Sequence, residues 1–203
     1  MTGIQYPQIG PPGRIILLNG ASGSGKTSIA EQLLLVLDEP WFHVPVDAIN
    51  AMRARRRTLE LSPAELELVL ARTRAGFHRA VAGMAAAGNN VVADHVLSER
   101  WRLLDCLAVL EDFDVVFVGV RCAKEALKRR TRLRGDRDVD TVLAQHQRVH
   151  AHGRYDLECD TTDASPLECA LSIKAFLAAD PHSPRAFDEL RARAAAEGWT
   201  TGR

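Results

Sequence analysis

The segment Gly20-Ala-Ser-Gly-Ser-Gly25-Lys26-Thr27 matches the pattern G-x-x-x-x-G-K-[ST] at every fixed position. An apolar run, Arg14-Ile-Ile-Leu-Leu18, precedes it and reads as a buried parallel strand. Ser28 to Leu37 follows with helical periodicity. Strand before and helix after make this a phosphate-binding loop rather than a chance Gly/Ser turn. The glycines let the backbone curl so that successive N–H groups point at phosphate oxygens. The helix adds its positive N-terminal end. On this reading Gly20, Ala21, Ser22, Gly23, Ser24, Gly25, Lys26, Thr27 and Ser28 bind a nucleotide. Lys26 reaches the β- and γ-phosphates, and the Thr27 hydroxyl takes a metal ion. ATP and Mg²⁺ are therefore the expected cofactors.

A chain of 203 residues supports one good-sized core and not two full domains. Lys+Arg and Asp+Glu both number 26, which disfavours a general nucleic-acid role. No run approaches a membrane span, and Met1 to Pro7 lacks the pattern of a signal peptide. Cys106, Cys122, Cys159 and Cys169 show no C-x-x-C spacing, so reduced thiols in a cytoplasmic protein are the expectation.

Apolar runs alternate with amphipathic segments, the pattern of an α/β domain with a parallel sheet. Strands are expected at 14–18, 41–46, 90–94, 113–120 and 155–159. Ser62-Pro-Ala-Glu65 and Ser165-Pro-Leu-Glu168 read as helix starts, and Gly88 as the stop of a helix over 63–87. Residues 1–180 are read as one domain, with a helical excursion over about 48–88 and a lid over about 129–140. The tail, 181–203, carries Phe187, Leu190 and Ala194 at helical spacing. Docking on the domain, docking on a second copy and a loosely held end are all open for it, as is self-association of the chain.

Ligands of open parallel sheets sit beyond the carboxyl ends of the strands. That rule selects Asp47 after the second strand and Asp94 at the end of the third. Asp47 has the position of a base that takes a proton from an attacking hydroxyl; the competing role is an N-cap for the next helix. Asp94 suits a carboxylate that holds Mg²⁺ through water or helps seat an acceptor, with the same N-cap alternative. His95 is a candidate for substrate contact or a rim residue. The basic stretch from Lys124 to Arg137 ends at Arg134-Gly135-Asp136-Arg137, where the glycine breaks the helix. Arg134 and Arg137 suit a segment that closes over transferring phosphate oxygens. Arg53 opens a second basic run with Arg55, Arg56 and Arg57, either a solvated face or a contact for an anionic acceptor or RNA. His146 and His150 have metal-ligand spacing but no H-E-x-x-H context.

Further short matches run in order through the core: Glu39-Pro-Trp41, Val46-Asp47, Ala86-Ala-Gly88, Glu99-Arg-Trp101, Val118-Gly-Val-Arg-Cys122, Tyr155-Asp156 and Asp160-Thr-Thr162. With the phosphate loop, they make the chain resemble the chloramphenicol phosphotransferase family of P-loop kinases from about Arg14 to Ala178. The resemblance implies a three-layer sandwich with a five-stranded parallel sheet, helices on both faces and a mobile Arg-bearing lid. It implies ATP, Mg²⁺ and transfer of phosphate to a primary hydroxyl, with Asp47 as base and Lys26, Arg134 and Arg137 assisting. It also implies that Thr161 and Thr162 lie near the adenine; Arg130 is counted with the nucleotide-binding residues. Asp47, Asp94, His95 and Arg53 form the expected acceptor side. The chain departs from the family where paired acids are replaced by Asp94-His95, and after Asp47, where a Gly/Asp-rich insert is replaced by an Arg-rich one. The expected activity is phosphorylation of a small hydroxylated molecule, an antibiotic or other natural product, and so a role in antibiotic resistance. A metabolite alcohol (a sugar acid, a shikimate-like alcohol or a nucleoside) and a non-catalytic nucleotide-binding module are the competing expectations.

Overall fold

The computed structural model describes residues 10–135, 138–179 and 184–200. Its centre is a sheet of five strands, β1 (Ile15–Asn19), β2 (Trp41–Pro45), β3 (Asn90–His95), β4 (Val115–Arg121) and β5 (Leu157–Asp160). The order is β2-β3-β1-β4-β5, and every neighbouring pair is parallel. The apolar runs dictate this: all five residues of β1 are buried, as central strands covered on both faces must be. Each of the five expected strands is present, with boundaries shifted by one or two residues.

Residue parity along the strands divides the interior into two layers. Ile16, Leu18, Val92, Val116 and Val118 face α1 (Lys26–Val36) and α8 (Pro166–Ala179). Ile15, Leu17, Ala93, Val115 and Phe117 face α4 (Pro63–Ala86), α5 (Arg100–Val109) and α9 (Ala186–Ala196). The result is a three-layer α/β sandwich. Between β2 and α4 lie two short helices, α2 (Val46–Ala51) and α3 (Arg55–Leu59). α6 (Lys124–Arg134) and α7 (Val139–Arg148) cover the end of the sheet where the phosphate loop emerges.

The helix signals act as their chemistry requires. Ser62 Oγ accepts from the Glu65 N–H, and the Glu65 carboxylate accepts from the Ser62 N–H at 2.9 Å, a reciprocal capping box. Ser165 and Glu168 repeat it at the start of α8. Gly88 takes φ 89°, a left-handed conformation that ends α4 at glycine's low cost. In α9, Phe187 and Leu190 are buried, and the Phe187 ring meets Phe117 edge-on at 4.9 Å. The apolar spacing of that segment thus serves docking onto the sheet. Asp156 reinforces it by accepting from the Ala186 N–H at 2.7 Å.

Candidate active site

The phosphate loop follows β1 and opens on a cavity of about 480 Å³. Ser22, Gly23, Gly25, Lys26, Thr27 and Ser28 form its floor. Gly23 and Gly25 adopt φ 81° and 96°, values that side chains other than glycine's resist. Gly20 is needed for a different reason: a Cβ there would lie 2.4 Å from the Val120 carbonyl oxygen. Gly20, Ala21 and Ser24 do not line the cavity but pack behind it, with Ala21 and Ser24 each 1% exposed. Their contribution is to backbone shape, since the loop packs against Val120 of β4 at Gly20 and against Thr161, after β5, at Ser24 and Gly25. Ser24 donates nothing from its buried hydroxyl to the described residues, whereas its carbonyl accepts from Thr161 Oγ1 at 2.7 Å.

Lys26 Nζ donates to the carbonyls of Gly20 and Ala21 at 2.8 and 2.9 Å, which holds the ammonium inside the loop. α1 begins at this lysine with no capping side chain and no acid in its first turn. Its first N–H groups and its dipole are therefore available to an anion. Above the floor stand Arg130 and Arg134 of α6. Arg130 is anchored by bonds to Thr161 Oγ1 (3.1 Å) and the Thr161 carbonyl (2.6 Å). Arg134 is the last residue of α6, which Gly135 closes in a left-handed conformation. Arg137, expected beside it, lies outside the described residues.

Asp94 and His95 are consecutive in a strand and so point to opposite faces. Asp94, 5% exposed, faces α1: it accepts from Thr27 Oγ1 at 3.3 Å and from His43 Nε2 at 2.9 Å. It caps no helix, since the N-cap of α5 is Glu99. Thr27 and Asp94 thus present hard oxygen donors at one edge of the cavity, the donor set that Mg²⁺ prefers. His95 goes the other way and does not line the cavity. Its ring is 1% exposed and lies 5.2 Å from those of Phe77 and His78. Burial, with the charges of His78 and Arg102, pushes its pKa well down, so it is a neutral core ring. Contact with a substrate is thereby corrected to packing under α4.

Asp47 sits in the first turn of α2, whose N-cap residue is Pro45, so it is not the helix cap. It lines the nucleotide cavity and also a second cavity of about 480 Å³ bounded by Asn50, Arg53 and Leu59. Thr162 is a second correction. It is absent from the cavity wall, and its hydroxyl accepts from the Ala123 N–H at 2.7 Å, tying the loop after β5 to the start of α6. Thr161 beside it does reach the cavity.

Two further residues support the site. His43 orients Asp94, and its strand parity could have suggested it. Asn19, fully buried at the end of β1, donates to the Val149 carbonyl (2.9 Å) and Tyr155 Oη (2.7 Å) and accepts from the Leu97 N–H (2.9 Å). It ties the base of the loop to the ends of α7 and β3. His146 and His150 do not share a ligand: His146 donates to the Cys122 carbonyl and His150 pairs with Tyr155 Oη.

Burial lowers the pKa of His150 and of His152 to about 4. Both are neutral in the fold at neutral pH, while unfolded histidines take protons near pH ~6.5. Between about pH 6.5 and 4 the unfolded chain then binds more protons, so stability falls as pH falls through that window. Denaturation midpoints measured from pH 7 to pH 4 are expected to drop, and the drop to shrink in His152→Asn. An equal drop in the variant refutes the assignment to His152.

Comparison with known proteins accords with this architecture. The family described as chloramphenicol phosphotransferase-like protein matches residues 13–178. A protein of Mycobacterium tuberculosis, provisionally named an O-phosphotransferase in strains H37Rv and CDC 1551, is 32% identical over 213 residues, covering 90% of both chains. Among solved structures, the M. tuberculosis APS kinase in complex with AMPPNP and APS superposes with TM-score 0.62 at 20% identity, covering 84% of this chain and 100% of its own. The tunicamycin resistance protein of Deinococcus radiodurans gives 0.62 at 20% identity (85% and 99% covered), and a gluconokinase of Sinorhizobium meliloti 0.57 at 20% (82% and 92%). Those likenesses carry the fold, that of P-loop kinases. Among the described residues, no helix is long and apolar enough to cross a membrane. With a phosphate loop, a facing carboxylate and a family match over most of its length, the chain belongs to the chloramphenicol phosphotransferase-like family and is a phosphotransferase.

Proposed function

We propose that the protein transfers the γ-phosphate of ATP to a hydroxyl of a small molecule held in the second cavity. One observation carries this reading: Asp47 lines both cavities, so its carboxylate stands where the phosphate donor and a hydroxyl acceptor would meet. The acceptor oxygen bonds to the γ-phosphorus, the bond from that phosphorus to the β–γ bridging oxygen breaks, and ADP departs. The acceptor's proton ends on Asp47, which also aligns the oxygen for in-line attack. Lys26 and the first N–H groups of α1 bind the phosphates, and Arg130 and Arg134 counter the charge that spreads over the transferring oxygens. Thr27 and Asp94 would hold Mg²⁺, which supplies further neutralisation of the phosphate charge. α6 forms the lid side, and α2 to α4 the acceptor side.

The acceptor lies among small alcohols: an antibiotic or other natural product, as in chloramphenicol 3-O-phosphotransferase, or a metabolite. The Arg-bearing wall of the second cavity favours a metabolite. A binding module that only senses nucleotide has no use for a carboxylate shared between two cavities. The test is acceptor-dependent ADP release across hydroxylated antibiotics, sugar acids, shikimate-like alcohols and nucleosides. Stimulation by one class identifies the acceptor. ATP loss that no acceptor accelerates overturns the reading.

A further inference from the structure

Four arginines gather on the acceptor side, more positive charge than a neutral alcohol can use. Arg53 and Arg55 line the second cavity beside Asp47. The Nε of Arg53 donates to the Asn50 carbonyl at 3.2 Å, yet its Nη1 is buried with no hydrogen-bond partner among the described residues. Arg74 of α4, the helix on which α2 packs, is half-buried behind that wall, within electrostatic reach of Arg53, Asp47 and Glu99, and makes no hydrogen bond to the described residues. Arg102 stands behind it, paired with Glu99, with its Nε also buried and unpartnered. Burial and the neighbouring Arg53 outweigh both acids and lower the Arg74 pKa. Glu99 is taken by Arg102, and Asp47 shares the wall of the second cavity with Arg53 and Arg55.

Buried donors without acceptors are rare in folded proteins, and each calls for an explanation. Guanidinium groups that converge without partners are the pattern expected where a ligand oxyanion completes the bonding, because the planar fork matches two oxygens at once. A solvated face does not bury its nitrogens, whereas Arg53 buries its Nη1 beside the second cavity. The apolar remainder of the wall, Ala51 and Leu59, suits a small carbon skeleton between the charged ends.

We infer that Arg53 and Arg74 form an oxyanion subsite, so that the acceptor is an alcohol carrying a carboxylate, sulfate or phosphate group. The subsite rests on the proposal that the acceptor occupies the second cavity, and it names the class of that acceptor. Arg53 turns its orphaned Nη1 toward the anion, Arg74 supplies the second fork, and the hydroxyl end is left at Asp47.

The experiment has two arms. In the first, sodium sulfate is titrated by calorimetry into protein saturated with ADP and Mg²⁺, against sodium chloride of equal ionic strength. Saturation with ADP keeps the phosphate loop from being the sulfate site. Saturable binding is expected, at least tenfold weaker in Arg53→Gln and in Arg74→Gln, with ADP affinity unchanged in both. Absence of sulfate binding, or binding that neither variant weakens, overturns the subsite. In the second arm, hydroxy acids, sulfated alcohols and phosphorylated alcohols are compared as acceptors with their neutral amides or parent alcohols. A preference for one anionic class of tenfold or more in kcat/KM, lost in Arg53→Gln through KM, is expected and tells carboxylate from sulfate and phosphate. Equal use of neutral and anionic partners overturns the inference while leaving the kinase reading intact. Arg53-dependent sulfate binding without any phosphate transfer has the opposite sense: the subsite stands and the kinase reading falls.

Discussion

Asp47→Asn is expected to lower kcat for acceptor phosphorylation by about 10²–10⁴-fold, the usual worth of a positioned general base. Nucleotide affinity should be unchanged, because Asp47 lies on α2, across the cavity from the loop that grips the phosphates. Asparagine keeps the size and polarity of the side chain but cannot accept the proton, so α2 keeps its place on α4. Single-turnover transfer with ATP and the acceptor from the screen measures the chemical step, and titration with ADP measures binding. Near-normal transfer by the variant removes Asp47 from the mechanism. A loss of nucleotide binding equal to the loss of rate points to damage to the cavity instead.

Lys26→Ala is expected to have the second large effect, about 10²–10³-fold on kcat, with weaker nucleotide binding as well. Two physical terms combine. The ammonium that would face the β- and γ-phosphates is lost, and the carbonyls of Gly20 and Ala21 lose the donor that holds the loop in shape. Lys26→Arg separates them, since it keeps the charge but cannot fit a guanidinium fork into the space of an ammonium that is 7% exposed. It should recover little. Equilibrium binding of ADP and thermal unfolding, run beside the kinetics, distinguish a catalytic loss from an unfolded loop. Wild-type rates in Lys26→Ala contradict the phosphate-loop assignment outright.

Much of the scaffold was legible because the signals are local. Strands buried on both faces must be continuous apolar runs, and β1, β3 and β4 are such runs. A Ser-Pro-x-Glu box can hardly do anything but start a helix, and it does so twice. The candidate site was legible only where strand ends and motif positions coincide, as at Lys26, Thr27, Asp47 and Asp94. Its misreadings share one cause, the direction of a side chain. His95 was grouped with Asp94 by adjacency, but the pleat sends it into the layer beneath α4. Thr162 was grouped with Thr161, yet a turn after β5 spends its hydroxyl on the Ala123 amide.

Arg74 shows the opposite limit. In sequence it is one more arginine on a long amphipathic helix, 27 positions from Asp47 in the chain. Only the packing of α2 on α4 brings it within electrostatic reach of Arg53 and makes its lack of hydrogen bonds to the described residues informative.

The sequence by itself determined the phosphate loop, the parallel sheet around it and the two carboxylates at the strand ends, because each depends on residues close together in the chain. The tertiary structure decided which face each side chain serves, that Asp47 is shared between two cavities, and that Arg74 of α4 comes within electrostatic reach of Arg53 on the wall of one of them. Those are contacts between segments that no local pattern encodes, and the choice of acceptor resides in them.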